Sequence, residues 1–188
     1  MAFFILAFAL AGAARSEPTG VSSMRVERAG DGLVLSAQLS FDLPHAVDET
    51  LQKGIPLFFV TDAVVLRDRW YWYDKEVAAA TRHLRLSFQP LTRRWRLVVS
   101  NTQIGPSTVG LSQSFDTKEE AIAAVQHISG WRIAESGEVE PDRRYSVSLR
   151  FRLDVSQLPR PFQIGVVGQS EWNIGAERTL RLSPELLR

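Results

Sequence analysis

Between Tyr145 and Leu153 the chain alternates at every position: Tyr145, Val147, Leu149, Phe151 and Leu153 are apolar, and Ser146, Ser148, Arg150 and Arg152 between them are polar. Side chains that repeat every second residue leave an extended strand from one face, so this run predicts a strand with one dry and one wet side. Such a strand cannot stand alone, because its apolar face needs a second layer to cover it. The same pattern carries Leu33, Leu35, Ala37, Leu39 and Phe41, and Ser23 to Arg28 lies just ahead of them. Ala29-Gly30-Asp31-Gly32 joins the two runs, and its glycines permit the positive φ that tight hairpin turns demand, so the pair is expected to be antiparallel.

A second hairpin is expected where Pro90-Leu91-Thr92-Arg93 separates His83 to Phe88 from Arg94 to Val99. Ile55 to Tyr73 is apolar almost throughout. As one strand it would extend about 60 Å at roughly 3.3 Å per residue, so a break or bulge near Asp62 is expected. Val77 to Ala80 fits either a helical turn or the start of the next strand. Two short helices are expected. The first spans about Ala46 to Lys53, with Val47 and Leu51 four apart and Gly54 as terminator; it is expected to lie across a sheet edge. The second opens at Asp116-Thr117-Lys118-Glu119, which resembles a capping box, turns Ile122, Val125 and Ile128 to one face, and stops at Gly130. Pro159 and Pro161 remove two ladder donors and argue for an edge or crossover, after which Ile164 to Val167 and Thr179 to Leu182 close the sheet. The sum is a mainly β fold: an antiparallel β-sandwich, with an immunoglobulin-like arrangement as one form of it and an open barrel as the competing architecture.

Ala2 to Ala14 is uncharged and apolar, ends in small residues, and carries Ala11 and Ala13 in the small-x-small pattern of a signal peptidase site. It falls short of the roughly 18 to 20 apolar residues of a membrane span. Residues 1–14 are therefore expected to be a signal peptide, with an uncleaved membrane anchor as the alternative, and 15–188 a single β-sandwich domain. The expected location is the periplasm, or the inner membrane if the leader stays attached, which is also the one route to membrane contact.

The sequence contains no cysteine, so disulfides, thiol catalysis and thiolate metal sites are excluded and stability has to come from packing. Trp70, Trp72, Trp95, Trp131 and Trp172 supply large anchors for it. A net charge of +1 gives no global attraction to nucleic acid.

No Gly-x-Ser-x-Gly elbow, phosphate-binding glycine loop or His-Glu-x-x-His helix is present, and nothing points to a cofactor or a catalytic residue. His45, His83 and His127 fall in a loop, a strand and a helix, a poor basis for a metal site, which needs convergent ligands. Glu135, Glu138, Glu140 and Asp142 cluster ahead of the Tyr145 strand without the ligand spacing of an EF-hand and read as a solvated turn. The most unusual segment is Arg67-Asp68-Arg69-Trp70-Tyr71-Trp72-Tyr73-Asp74. If extended, Trp70 and Trp72 share one face and Tyr71 and Tyr73 the other. One reading places a pair in the core. The other makes Arg67, Arg69, Trp70, Tyr71, Trp72 and Tyr73 an aromatic and cationic platform for a partner, since Trp, Tyr and Arg dominate binding hot spots. From Arg67 to Arg96 eight cations face three acids, a local positive excess.

Arg69-Trp70-Tyr71-Trp72-Tyr73-Asp74, Ser114-Phe115-Asp116-Thr117, Gly130-Trp131, Leu153-Asp154-Val155-Ser156-Gln157-Leu158-Pro159 and Pro161-Phe162, in that order, resemble the DUF4390 family of proteobacterial exported proteins, also described as proline-rich signal peptide proteins. The resemblance runs from about Ser23 to Trp172. It implies an exported envelope protein of a Gram-negative bacterium and, through family genes that neighbour those of sensor kinases, an envelope or sensor protein as partner. It brings no activity, cofactor or catalytic residue. The leading expectation is a non-enzymatic periplasmic protein-interaction module; an enzyme or binding protein acting on envelope carbohydrate is the alternative.

Overall fold

In the alternating Tyr145 run, all five apolar side chains are buried on one face, while Arg150 on the other is exposed. The computed structural model describes residues 19–30, 32–69, 73–105, 110–160, 162–163 and 169–187. They form nine strands: β1 (Gly20–Ala29), β2 (Gly32–Ser40), β3 (Leu57–Arg67), β4 (Lys75–Gln89), β5 (Arg94–Ser100), β6 (Leu111–Phe115), β7 (His127–Ala134), β8 (Tyr145–Leu153) and β9 (Gly175–Arg181). Two helices, α1 (His45–Gln52) and α2 (Lys118–Gln126), interrupt them. The expected leader, residues 1–14, lies outside the described residues, as does the run Ile164 to Val167.

Every pairing is antiparallel. One sheet has the order β1-β2-β7 and the other β6-β5-β4-β3-β8-β9. The small sheet lies over one end of the large one, with β1 against β9 and β7 against β3 and β4, while α2 covers β5 and β6. Among the described residues no strand pairing joins the two sheets, so the molecule is layered rather than closed into a barrel. The three-plus-six split also differs from the four-plus-three ordering of immunoglobulin domains.

The two layers share one core. In β3, Leu57, Phe59, Thr61, Ala63 and Val65 face it, and their β8 partners on the same face are Leu153, Phe151, Leu149 and Val147, opposite Phe59, Thr61, Ala63 and Val65. Phe59 and Phe151 stack at 5.4 Å between centroids, and Phe41 at the end of β2 closes on them at 5.9 and 5.2 Å. That trio joins the small sheet to the large one through offset aromatic contact. Trp95, Trp131 and Trp172, three of the five expected anchors, are buried in the core, whereas Trp70 and Trp72 lie outside the described residues.

Several local expectations need correction. No break occurs at Asp62: β3 runs straight through it and ends at Arg67, and the single irregularity against β4 falls between Val65 and Leu66. Asp62 is tolerated mid-strand because it points to the outer face, where its carboxylate accepts from Thr81 Oγ1 at 2.9 Å and pairs with Arg152. Val77 to Ala80 belongs to β4. Thr179 to Leu182 is the later part of a strand that already begins at Gly175 and ends at Arg181. Pro159 sits in the connection between β8 and β9, outside every ladder.

Both helices form; α1 is shifted by one residue and α2 is shorter than expected at both ends. Helix α1 buries Val47 and Leu51 completely, and Gly54 follows it at φ +84°. The cap of α2 is Thr117, not Asp116: Thr117 Oγ1 accepts from the Glu120 N–H at 3.2 Å, and the Glu120 carboxylate accepts from the Thr117 N–H at 3.4 Å. Helix α2 ends at Gln126, not at Gly130, because His127 and Ile128 already pair with Gln38 and Ala37 of β2. Gly130 instead occupies an irregular stretch of β7 at φ +55°, where its N–H donates to Ser36 Oγ. Lys118 Nζ reaches the Asp48 carboxylate at 3.0 and 3.1 Å and ties the two helices together.

The cap gives a sharp test. Thr117→Ala is expected to lower unfolding stability by about 1 kcal/mol. Asp116→Ala, which removes a surface pair with Arg94 that stays largely solvated, is expected to stay within about 0.5 kcal/mol of the parent in urea denaturation. The reverse order would restore Asp116 as the cap.

Candidate functional site

The β3–β4 hairpin continues past the last paired residues. Arg67 lies opposite both Lys75 and Tyr145, and one step further the Asp68 N–H donates to the Arg144 carbonyl at 3.0 Å. The Arg69 N–H reaches Asp74 Oδ1 at 3.4 Å across the hairpin. Arg67, a quarter exposed, extends its guanidinium to Glu140 at 3.5 Å. Arg69 is exposed, and Tyr73 is 90% exposed. Trp70, Tyr71 and Trp72 lie outside the described residues.

The same end of the sandwich carries the β7–β8 connection. Its acidic residues are engaged with the loop itself: the Glu135 N–H donates to Glu138 Oε2 at 2.6 Å, Arg143 pairs with Glu140 at 3.3 Å, and the Glu140 N–H donates to the buried Tyr145 hydroxyl at 3.0 Å. The β1–β2 turn lies beside them, with Gly32 so close to β7 that a Cβ there would sit 2.5 Å from the Ala134 carbonyl oxygen. Three connections therefore meet at one end, and the Arg67–Glu140 pair and the Asp68–Arg144 hydrogen bond bind two of them together.

The three histidines do not converge. His45 opens α1 and His83 lies in β4 with its Nδ1 buried and without a hydrogen-bond partner. His127, the first residue of β7 and not a helical one, sits with Nδ1 3.2 Å from Gln38 Oε1. Among the described residues no group of three His, Asp or Glu is placed to hold a metal ion.

The positive excess between Arg67 and Arg96 is dispersed by strand parity. Arg85, Arg94 and Arg96 share the outer side of the large sheet, where Arg94 meets Asp116 at 2.8 Å and Arg96 Nε donates to Ser112 Oγ at 2.8 Å. Arg82 has the opposite parity and faces inward beside Thr61, with its guanidinium carbon 5.8 Å from the centre of the Trp131 ring. Its Nε is buried with no hydrogen-bond partner, and burial lowers its pKa from the usual arginine value. By charge count alone Arg82 is only one cation among eight. The signal was nevertheless present: stepping back by two from Leu86 to Leu84 reaches Arg82 on the same face.

A family model described as a domain of unknown function, DUF4390, matches residues 16–181, a span that contains all nine strands. The chain belongs to the DUF4390 family. No curated protein and no solved structure matches it.

One motif of this DUF4390 chain has a direct structural account. At the exit from β8 the Asp154 N–H donates to the Phe58 carbonyl at 2.7 Å. Its carboxylate accepts from the Ser156 N–H at 3.1 Å, from Ser156 Oγ at 2.6 Å and from Gln157 Nε2 at 2.6 Å, which turns the chain into a short 3-10 helix and buries Leu158. Partial burial works against the charged carboxylate, but the Gln157 and Ser156 hydrogen bonds, with Arg152 nearby, outweigh it and hold the group below the usual aspartate range. A depressed folded-state value means that the stabilisation is complete above the unfolded-state value of about 3.9 and disappears as the pH falls through the folded one. Asp154→Asn is therefore expected to be less stable than the parent at neutral pH and to lose less stability between pH 5 and the acid limit, as read from melting temperatures across that range. Parallel acid profiles would remove Asp154 from this role.

Proposed function

We propose that this DUF4390 domain is an exported, non-enzymatic interaction module of the Gram-negative envelope, and that the β3–β4 hairpin from Arg67 to Tyr73 is the surface it offers to a protein partner. The observation that carries the reading is Tyr73, an aromatic side chain 90% exposed in the β3–β4 connection two residues before β4, next to strand ends held by the Arg67–Glu140 pair and the Asp68–Arg144 hydrogen bond. Tyrosine gives a large contact area at small entropic cost, and arginine beside it adds directional donors, so a segment next to paired strand ends and carrying both loses little freedom on binding. The apolar leader with its small-x-small end supports export. Among the described residues no helix is long and apolar enough to cross a membrane.

Two measurements test the two halves of this proposal. A photoreactive amino acid at position 73 is expected to give one reproducible protein adduct in living cells. The same probe at Leu91, equally exposed on the β4–β5 turn at the opposite end of β4, is expected to give none. Trp72→Ala is expected to abolish the adduct without changing the melting temperature. Equal labelling from both positions, or a lowered melting temperature in the alanine variant, would reject the hairpin as the recognition surface. Export is tested by fusing the leader to a phosphatase that works only outside the cytoplasm; an inactive fusion would place the module elsewhere.

A further inference from the structure

The inner face of the large sheet contains a cation that the packing does not explain. Three other partly covered cations have carboxylate partners: Arg67 has Glu140, Lys118 has Asp48 and Arg152 has Asp62; Arg85 has none among the described residues, but it lies on the outer face of the sheet. Arg82 has none among the described residues, although it sits deep enough for its Nε to be cut off from solvent. A buried charge without a counter-ion is strongly disfavoured, and a buried N–H without an acceptor adds to the cost. The Trp131 ring, 5.8 Å away, offsets part of this through its π face. Such a contact uses the flat of the guanidinium and leaves the N–H edge, with its fork of donors, available.

Arg82 also lines a cavity of about 240 Å³ between β4, β5 and β6 on one side and the α2–β7 junction on the other. Arg82, Thr61, Gln113 and Ser129 provide its polar lining, Leu84, Leu97, Val99 and Leu111 the main part of its apolar wall, and no Asp or Glu contributes to it. Leu111, 77% exposed on the short strand β6, and the exposed His127 at the start of β7 are both among its lining residues. The volume lies below the roughly 300 to 1,000 Å³ of pockets for drug-sized ligands, which limits the occupant to a small molecule.

We infer that this cavity binds a small monocarboxylic acid, with the carboxylate on the inward edge of Arg82 and the apolar body among Leu84, Leu97, Val99 and Leu111. The charge selects an anion and the planar fork of donors matches a carboxylate in two-point geometry. The leucine and valine wall selects an aliphatic or aromatic body over a hydrated ion. Leu111, otherwise an isolated apolar side chain in water, becomes covered when the cavity is filled. The site is separate from the β3–β4 hairpin tip and does not depend on the reading of that surface.

Hexanoate is the probe. In a titration of the full chain followed by NMR, it is expected to shift the Arg82 Nε–H and the Leu97 and Val99 methyl resonances together and to saturate, with a Kd of about 1 mM or tighter. Hexanol, with the same chain and no charge, is expected to bind at least tenfold more weakly, and inorganic phosphate likewise. Arg82→Gln is expected to weaken hexanoate at least tenfold. Val99→Phe, which fills part of the cavity and leaves the cation in place, is expected to do the same and keeps the test valid if the arginine variant fails to fold. Absence of saturation, equal binding of hexanol or phosphate, or undiminished hexanoate binding in a folded variant would overturn the assignment.

Discussion

The register between β3 and β8 is the constraint on which the rest of this structure depends. Phe59 opposite Leu153, Thr61 opposite Phe151, Ala63 opposite Leu149 and Val65 opposite Val147 place small beside large along one buried face, and Phe41 closes over the phenylalanines from the other sheet. A slip of one residue would turn Arg150 and Arg152 inward and expose the leucines. With no cysteine in the chain, no crosslink can hold the layers if that face is lost. The burial of Phe59, Phe151 and Leu149 therefore does the work that disulfides do in many exported domains.

That register also determines what the ends and faces of the sheet offer. β3 is paired with β8 at every position from Phe59 to Arg67, and just beyond it the β7–β8 connection is drawn alongside by Arg144 and Glu140. Pairing Thr61 with Arg82 carries the same parity one strand further and points a cation into the interior. The hairpin tip and the inward arginine are thus two consequences of one ladder, one at its end and one on its face.

Much of this was legible in the residues. Period-two alternation located β2 and β8, the Gly30 turn located the first hairpin, the Pro90 to Arg93 turn located the hairpin of β4 and β5, and the Val47–Leu51 spacing located α1. The errors have a common physical source. A polar residue within an apolar run reads as an interruption, yet Asp62 sits comfortably on an outer face where Thr81 and Arg152 satisfy it. A glycine after a helical run reads as a stop, yet β2 captures His127 and Ile128 before Gly130 is reached. Adjacent capping candidates, Asp116 and Thr117, differ locally by little; the hydrogen bonds with Glu120 select the second. For the candidate sites, the aromatic and arginine content of the hairpin was visible in the chain, whereas the inward placement of Arg82 showed only in its two-residue spacing from Leu84 and Leu86, because a charge count carries no direction.

By itself the sequence determined that this protein is built from antiparallel strands with short helices, that packing alone stabilises it, and which side chains of each strand share a face, since all of these follow from spacing and composition along the chain. Only the tertiary structure decided how nine strands divide into sheets of three and six, which connections meet at one end, and that Arg82 lies against Trp131 beside a small cavity, with no counter-ion among the described residues. Those outcomes depend on which strands become neighbours. That choice is made by the fit of side-chain volumes between residues distant in the chain, a property that local periodicity does not encode.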